Sequence, residues 1–269
     1  MRYVLAVLLC LLPGCARGGG DDGRVTVVTA VYPLTYAVQR IGGEHVRVVD
    51  LAPPGAEPHD VELTPAQVGR VEQADLVVLV RGLQPALDDA AGVRTLDVLR
   101  GGTDPHVWLD PPAYAEIVAL ITARLVALDR EHAPAFSDNA RTFAAELESF
   151  HGDAQETLAR CARKDLVTSH AAFGRFAKRY GLRETGIAGV GDEAEPSPAR
   201  LAEVAALVER NGVTTVFAES ADSRPAQTVA REAGAQVAVL DPLEVSRGDD
   251  YLTVMRRNLD AVKTGLGCG

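Results

Sequence analysis

The sequence predicts an α/β fold of two Rossmann-like lobes, each built on a parallel β-sheet, joined by one long helix. Two observations support this prediction. Short runs rich in valine, leucine and threonine alternate with segments of helical periodicity in both halves of the chain, and a stretch without any strand signal lies between them. Continuous apolar strands separated by helices are typical of a parallel sheet that is covered on both faces.

The first lobe is predicted to span residues 24–133. Its strand candidates are 24–30, 46–52, 75–80 and 94–98. Helices are predicted at 34–41 and from Thr64. Thr64 offers an oxygen that can cap a helix, and Pro65 suits the first helical position because its fixed φ is helical and its missing N–H would be unpaired there.

The middle of the chain is predicted to be helical. From Pro112 to about Arg163 only helical periodicity is present, with an interruption at Pro134, and residues 141–161 have the pattern of one long helix. We therefore place the linking helix at 134–163.

The second lobe, residues 164–269, returns to the alternating pattern. Its strand candidates are 165–169, 182–187, 214–218 and 236–240, and its helix candidates are 171–180, 198–211, 225–233 and 251–265. Together the two lobes predict two sheets whose strand ends can face each other.

The N-terminus indicates export. Residues 1–14 have a basic start, an apolar run that ends at Leu12 and small residues after it, which is the layout of a secretory signal peptide. The run is too short to span a membrane. The ending "LLPGC" resembles the lipobox of bacterial lipoproteins, which predicts Cys15 as a lipidation site and 15–23 as a flexible tether. The alternative is an ordinary secretory signal with an incidental cysteine.

Charge and cysteine content narrow the class of protein. The formal net charge of −10 disfavours a nucleic-acid-binding surface. Of the four cysteines, Cys10 lies in the signal segment and Cys15 is the lipid candidate, which leaves Cys161 and Cys268. Two remaining cysteines in an exported protein predict one disulfide, which would tie the C-terminus to the beginning of the second lobe. Two free thiols or two zinc thiolates are the alternatives.

Five polar residues follow predicted strands. They are His59, His106, His170, Glu219 and Asp241. Ligands of open parallel sheets bind at the carboxyl ends of the strands, and two such edges that face each other form a cleft between the lobes. Imidazole nitrogens and a carboxylate oxygen can form a tetrahedral zinc site there. The spacing alone is a weak signal, because no two of these residues share a compact motif.

Several ordered motifs give a more specific signal. The stretches "EPHDVELTP", "DPHVWLDP", "TSHAAFGRFAKRYGL", "EAEPSPARLAEV", "VFAES" and "VLDPL" resemble, in this order, motifs of the zinc/manganese-specific solute-binding proteins of bacterial ABC transporters. The resemblance runs from about Val25 to Leu266. It implies two lobes joined by a single long helix, with one metal ion in the cleft between them. It also implies a set of metal ligands, namely His59, His106, His170 and Asp241. Glu219 is implied to contact one of these ligands or to substitute for one.

The segment "DPHVWLDP" has a role of its own in this interpretation. Its prolines stiffen a loop so that His106 projects into the cleft, and Trp108 provides apolar cover that limits water near the metal. Either Asp104 or Asp110 could accept a hydrogen bond from the second ring N–H of His106 and fix its tautomer. The sequence does not choose between the two aspartates.

The resemblance implies a receptor, not an enzyme. His170 favours zinc, since manganese-selective relatives usually carry glutamate there and three imidazoles suit zinc better than the harder manganese ion. We expect a monomeric, high-affinity extracytoplasmic zinc receptor, anchored to the membrane by lipid or periplasmic, that delivers Zn²⁺ to an ABC permease. A metallochaperone is a further candidate partner. Three alternatives remain open: a manganese receptor of the same family, a secreted zinc hydrolase with Glu219 as general base and an open fourth coordination position, and an adhesin.

Overall fold

The computed structural model describes residues 23–52, 59, 61–99, 102–190 and 195–269. The predicted signal peptide, the lipidation site Cys15 and nearly all of the predicted tether lie outside the described residues. Within them the chain forms eight β-strands and nine α-helices, arranged as two α/β lobes with parallel sheets. The predicted fold class is confirmed.

The first lobe contains one four-stranded parallel sheet. Its strands are β1 (Val25–Thr29), β2 (Val46–Asp50), β3 (Leu76–Leu79) and β4 (Thr95–Asp97), and they lie in the order β2-β1-β3-β4. Its helices are α1 (Tyr32–Gly42), α2 (Pro65–Gln73), α3 (Pro85–Ala90) and α4 (Pro111–Leu128). The side chain of Thr64 accepts a hydrogen bond from the backbone N–H of Gln67, and the side chain of Gln67 accepts one from the N–H of Thr64. This capping box fixes the start of α2 where the sequence predicts it.

A long helix, α5 (Ala133–Ala159), connects the two sheets. Pro134 lies in its first turn, where a missing backbone N–H leaves no hydrogen bond unmade. The helix begins at Ala133, one residue before the predicted linking helix, and the predicted interruption lies just before it, at residues 129–132 between α4 and α5. Helix α4 has the length and the mean hydropathy, 1.4, of a membrane span, but it packs along α5 and against α1.

The second lobe has the same sheet architecture as the first. Its strands are β5 (Asp165–His170), β6 (Arg183–Ala188), β7 (Thr215–Ala218) and β8 (Gln236–Val239), in the parallel order β6-β5-β7-β8. Its helices are α6 (Gly174–Arg179), α7 (Pro198–Arg210), α8 (Arg224–Glu232) and α9 (Tyr251–Leu266). The predicted strands of this lobe are all present.

The largest apolar cluster runs through both lobes. It includes side chains of β1, α1, α4, α5 and α9. The ring of Tyr114 lies 4.7 Å from that of Tyr251 and 5.7 Å from that of Phe143, measured between centroids, and all three residues are buried. Because α9 belongs to the second lobe and α4 to the first, this shared core packs the lobes directly onto each other.

A disulfide closes the second lobe. Cys161 and Cys268 are bonded, as the sequence predicts. The backbone pairs beside them, since Ala162 N–H donates to the carbonyl of Gly267 and Arg163 N–H donates to that of Leu266. The end of α9 is thereby fixed to the segment between α5 and β5.

Candidate metal centre

Three imidazoles meet between the lobes. His170 is the last residue of β5, whereas His106 follows β4 and His59 follows β2. The ring centroid of His106 lies 5.9 Å from that of His59 and 5.7 Å from that of His170. The parallel arrangement of strands explains the meeting, because carboxyl ends of neighbouring strands share one edge of a sheet.

Glu244 lies at the centre of the three rings. Its Oε1 atom is 2.7 Å from Nε2 of His106, 3.5 Å from Nε2 of His59 and 3.7 Å from Nε2 of His170. The side chain of Glu244 is only 3% exposed. Three ring nitrogens and one carboxylate oxygen therefore converge on one buried point.

A turn with unusual backbone geometry aims Glu244 at this point. Oδ1 of Asp241 accepts a hydrogen bond from the backbone N–H of Leu243, at 2.8 Å. Leu243 has φ of 64°, a left-handed conformation that is uncommon for a residue with a branched side chain. The amide of Asn258 holds the backbone of Asp241 through two hydrogen bonds, of 3.0 and 2.6 Å. These contacts set the direction in which Glu244, the residue after Leu243, projects.

The structure brings Glu244, and not Asp241, to the imidazoles, in contrast to the sequence prediction. One oxygen of Asp241 makes the turn, and the other lies 3.7 Å from Nε of Arg247. The segment "VLDPLEVS" contains both carboxylates, so the motif alone does not say which one faces the cleft. The only sequence signal for Glu244 is its position between the apolar residues Leu243 and Val245, which is typical of a buried acid.

Two of the three imidazole rings contact a carboxylate through Nδ1, the ring nitrogen that faces away from Glu244. Oε1 of Glu219 lies 2.7 Å from Nδ1 of His170, and Oδ1 of Asp104 lies 2.9 Å from Nδ1 of His106. A carboxylate on the second ring nitrogen fixes the orientation of an imidazole and directs the other nitrogen toward a metal. The structure thus selects Asp104 over Asp110 as the partner of His106, and it places Glu219 behind His170.

Trp108 packs against His106, the residue that the sequence predicts it to cover. It is fully buried, and its ring meets the ring of His106 edge-on, with 5.5 Å between centroids. Its Nε1–H donates to the carbonyl of Pro242 at 2.7 Å. An apolar ring fixed in this way excludes water from one side of His106.

The charged groups of the centre shift one another's pKa. Burial alone lowers the pKa of His170, but hydrogen bonding to Glu219 and attraction by Glu244 outweigh it and raise the pKa to about 10. Burial likewise lowers the pKa of His106, and its bonds to Asp104 and Glu244 raise it above the ordinary value. Burial raises the pKa of Glu244, yet the three imidazoles outweigh burial and hold this pKa well below its usual range.

Within the part of the chain that the structure describes, two ring nitrogens of the centre are buried without a hydrogen-bond partner. They are Nε2 of His59 and Nε2 of His170, and both face Oε1 of Glu244. A buried polar atom without a partner costs free energy. A cation that accepts their lone pairs would satisfy both nitrogens at once, so the donor set fits a metal ion that prefers nitrogen and oxygen ligands.

Residues 27–265 match the family model of ZnuA, described as zinc-uptake complex component A, periplasmic. The chain belongs to the ZnuA family. The family predicted from the ordered motifs is therefore confirmed, and it is a family of solute-binding components of uptake systems.

Curated relatives agree with membership in the ZnuA family. The high-affinity zinc uptake system protein ZnuA of Bacillus subtilis is 30% identical over 307 residues, which cover 98% of this chain and 96% of that protein. The zinc-binding lipoprotein AdcA of Streptococcus pneumoniae is 32% identical over 301 residues. That match covers 98% of this chain but 60% of AdcA, so the chain spans about 60% of the length of this relative.

Solved structures of ZnuA-like proteins share the fold. The laminin-binding protein of Streptococcus agalactiae, described as bifunctional with adhesin and metal-transporting activity, matches with a TM-score of 0.84 and 30% identity over 90% of this chain and 99% of that one. The Zn(II)-bound ZnuA-like domain of Streptococcus pneumoniae AdcA matches with a TM-score of 0.79 and 32% identity, over 91% of this chain and 99% of that domain.

Proposed function

We propose that the chain is a high-affinity extracytoplasmic zinc receptor that delivers Zn²⁺ to an ABC permease for import. The observation that carries this proposal is the convergence of three imidazole nitrogens on Oε1 of Glu244 in a buried position. The ligands are His59, His106, His170 and Glu244. Three nitrogens and one oxygen are a donor set that zinc accepts in tetrahedral geometry.

Zinc suits this donor set better than manganese. Manganese prefers oxygen ligands and octahedral geometry, whereas imidazole is a good ligand for zinc. Among the described residues, Glu244 alone directs a carboxylate at the centre, since Glu219 and Asp104 are bonded to the far nitrogens of their histidines. Membership in a family of zinc-uptake components supports the same choice.

The family and the number of protein ligands at the metal both indicate a binding protein and not an enzyme. A catalytic zinc keeps one position open for water or substrate, while four protein ligands close the shell. The hydrolase alternative needs Glu219 next to that open position, yet its Oε1 bonds Nδ1 of His170, on the opposite side of the ring from Glu244. The chain is accordingly a solute-binding component and not an enzyme.

Location and partners follow from the N-terminus and the family. Uptake components of this family work outside the cytoplasm. Lipidation at Cys15 would anchor the receptor beside the permease, with residues 15–23 as the tether. The receptor acts as a monomer and takes up zinc either directly or from a metallochaperone.

A competition titration of the mature protein against a zinc chelator tests the proposal. We expect one zinc ion per chain. Glu244→Gln is expected to weaken binding more than about 100-fold, beyond the range of residues that only contact ligands. Asp241→Asn is the matched control, because asparagine can still accept the hydrogen bond of the turn and should leave the affinity within about tenfold.

Some results of this titration would contradict the proposed function, and others would contradict only the choice of ligands. A wild-type protein that binds no zinc, or that prefers manganese in direct competition, would overturn the proposed function. A loss in Asp241→Asn with none in Glu244→Gln would overturn the ligand assignment and restore the sequence prediction.

A further inference from the structure

Two arginines of α6 hold the segment that carries His106. Arg175 Nε–H donates to the backbone carbonyl of Asp104 at 2.9 Å, at the beginning of this segment. Arg179 donates from Nε and Nη2 to the two oxygens of Asp110, at 2.7 and 2.8 Å, at its end. The two arginines are four residues apart on one helical turn, so a single face of α6 contacts both ends of residues 104–110.

The sequence at the start of α4 makes Asp110 available for this contact. Asp110 is the N-cap residue of α4, where an aspartate usually accepts hydrogen bonds from backbone N–H groups of the first turn. The next two residues, Pro111 and Pro112, have no N–H to donate, and the side chain of Asp110 makes no capping bond. Its carboxylate is therefore used by Arg179 in a two-point contact, which fixes orientation better than a single bond.

The opposite side of the segment is also bonded to the second lobe. Trp108 Nε1–H donates to the carbonyl of Pro242, two residues before Glu244. The hydroxyl of Tyr251, on α9, donates to the backbone carbonyl of Trp108 at 2.5 Å. His106 belongs to the first lobe by sequence, yet its segment is bonded by residues of the second lobe, namely Arg175, Arg179, Pro242, Glu244 and Tyr251.

We propose that Arg175 and Arg179 are positioning residues of the zinc site. By fixing residues 104–110 onto the second lobe, they assemble His106 with His170 and Glu244 before the metal arrives, so that His59 alone joins the site from the first lobe. This inference rests on the proposed zinc-receptor function and adds a role for residues that touch no ligand. An ion that enters finds three of its four ligands at their final separation, which lowers the cost of ordering them.

Zinc dissociation from the full-length mature protein tests the inference. Arg179→Leu is expected to raise the dissociation rate 10- to 100-fold, the range found for groups that orient metal ligands. The direction of this change in dissociation rate is informative, because removing a positive charge near a cation should by itself tighten zinc binding. Arg179→Lys keeps the charge but loses the two-point geometry and is expected to give a smaller increase.

A matched control separates positioning from general stability. Arg183 makes the same two-point contact with Asp165, at 3.0 and 2.9 Å, but within the second lobe at the start of β5 and β6. Arg183→Leu is expected to change zinc dissociation by no more than about twofold. The visible spectrum of bound Co²⁺ gives a second readout, since displacement of His106 alters the absorption of a tetrahedral site.

Failure of the positioning role and failure of the proposed function would give different results. Equal dissociation rates in Arg179→Leu and Arg183→Leu, with an unchanged Co²⁺ spectrum, would overturn the positioning role. If Arg179→Leu does not fold, Arg179→Lys and Arg175→Leu carry the same comparison. A wild-type protein that binds no zinc would instead overturn the proposed function, so the two failures are distinguishable.

Discussion

The two lobes share one sheet topology but contribute to the metal centre in different ways. The order β2-β1-β3-β4 in the first lobe corresponds to β6-β5-β7-β8 in the second. The second lobe supplies His170 directly from the end of β5 and Glu244 from a turn fixed by Asn258. The first lobe supplies His59 from a connection after β2, beside a pocket of about 220 Å³. The shared topology thus places two sheet edges opposite each other. Local contacts determine which of the ligand side chains are held in a fixed position.

His106 shows that a residue can belong to one lobe by sequence and be held in place by the other. It follows a strand of the first lobe, but its segment is bonded to α6, α9 and the turn before Glu244. Three of the proposed ligands therefore form one unit with the second lobe. A cleft site can thus be built mainly on one of its two walls.

The largest expected effect concerns the disulfide of the second lobe. Replacing Cys161 and Cys268 by serine releases a loop with a sequence separation of 107 residues. The chain-entropy account gives a loss of about 4–5 kcal/mol in the free energy of unfolding, as an upper value. Urea denaturation measures the loss, and hydrogen exchange should rise in β5 and β6 more than in β1. An equal rise in both sheets would contradict a disulfide that stabilises one lobe. Alkylation of both cysteines without reductant would contradict the bond itself.

Removal of a ligand from the second lobe should cost more affinity than removal of the ligand from the first. His170→Ala is expected to weaken zinc binding more than about 100-fold, beyond the effect of residues that only orient ligands. His59→Ala should cost less, because His106, His170 and Glu244 remain assembled. Chelator competition on both variants makes the comparison. A larger loss in His59→Ala would show that the first lobe, and not the second, dominates the site.

Glu219 should have an intermediate effect through His170. Its carboxylate lies 2.7 Å from Nδ1 of that histidine, so Glu219→Ala is expected to weaken zinc binding about 10- to 100-fold. Glu219→Gln should lose less, because its amide oxygen still accepts from the ring N–H. Glu232→Ala, at an exposed position of α8, is the control for loss of one negative charge. Equal affinities in Glu219→Ala and Glu232→Ala would argue against an orienting role.

Acidity should weaken zinc binding across the neutral range. Zinc binds neutral imidazole, and the pKa of His170 is raised to about 10 in the metal-free protein while that of His106 is also raised. Zinc therefore displaces protons at neutral pH, and affinity should rise with pH by up to about tenfold per unit for each proton released, until the pH exceeds the raised values. An ordinary histidine pKa of about 6.5 would confine the effect to acidic conditions.

Titrations at about pH 6, 7 and 8 measure this slope. The same raised pKa stabilises the metal-free fold fully below about pH 6.5, and this contribution is lost as pH rises through the folded value. A zinc affinity that stays flat between neutral and mildly alkaline conditions would contradict displacement of a proton from His170.

The smallest expected effect is on overall shape. The lobes share an apolar core around Tyr114, Phe143 and Tyr251, and Arg179 bonds Asp110 across them. Metal uptake should therefore proceed by local loop motion, with the radius of gyration nearly unchanged between metal-free and zinc-bound protein. Small-angle scattering of both forms tests this. A clear contraction on zinc binding would mean that the lobes close as rigid bodies.

The architecture and three of the four groups that converge in the cleft could be predicted from the amino-acid sequence. Alternating apolar strands and amphipathic helices specify two covered parallel sheets, since burial on both faces leaves few other arrangements for such segments. His59, His106 and His170 were predicted at strand ends, which meet at a sheet edge. Glu219 and Asp241 were predicted there too, so the choice of ligands came from the resemblance of the ordered motifs to a known family. The pairing of Cys161 with Cys268 was predictable because Cys10 was assigned to the signal segment and Cys15 to lipidation, which left these two.

The direction in which individual side chains of the site point depends on contacts between distant parts of the chain. The choice of Glu244 over Asp241 depends on the left-handed backbone of Leu243 and on the amide of Asn258, 17 residues away in sequence. The choice of Asp104 over Asp110 as the partner of His106 depends on Arg179, which engages Asp110 from the other lobe. Local sequence patterns report burial and period, but the direction of a side chain in a loop is set by turn dihedrals and by bonds to distant residues, which no local pattern contains.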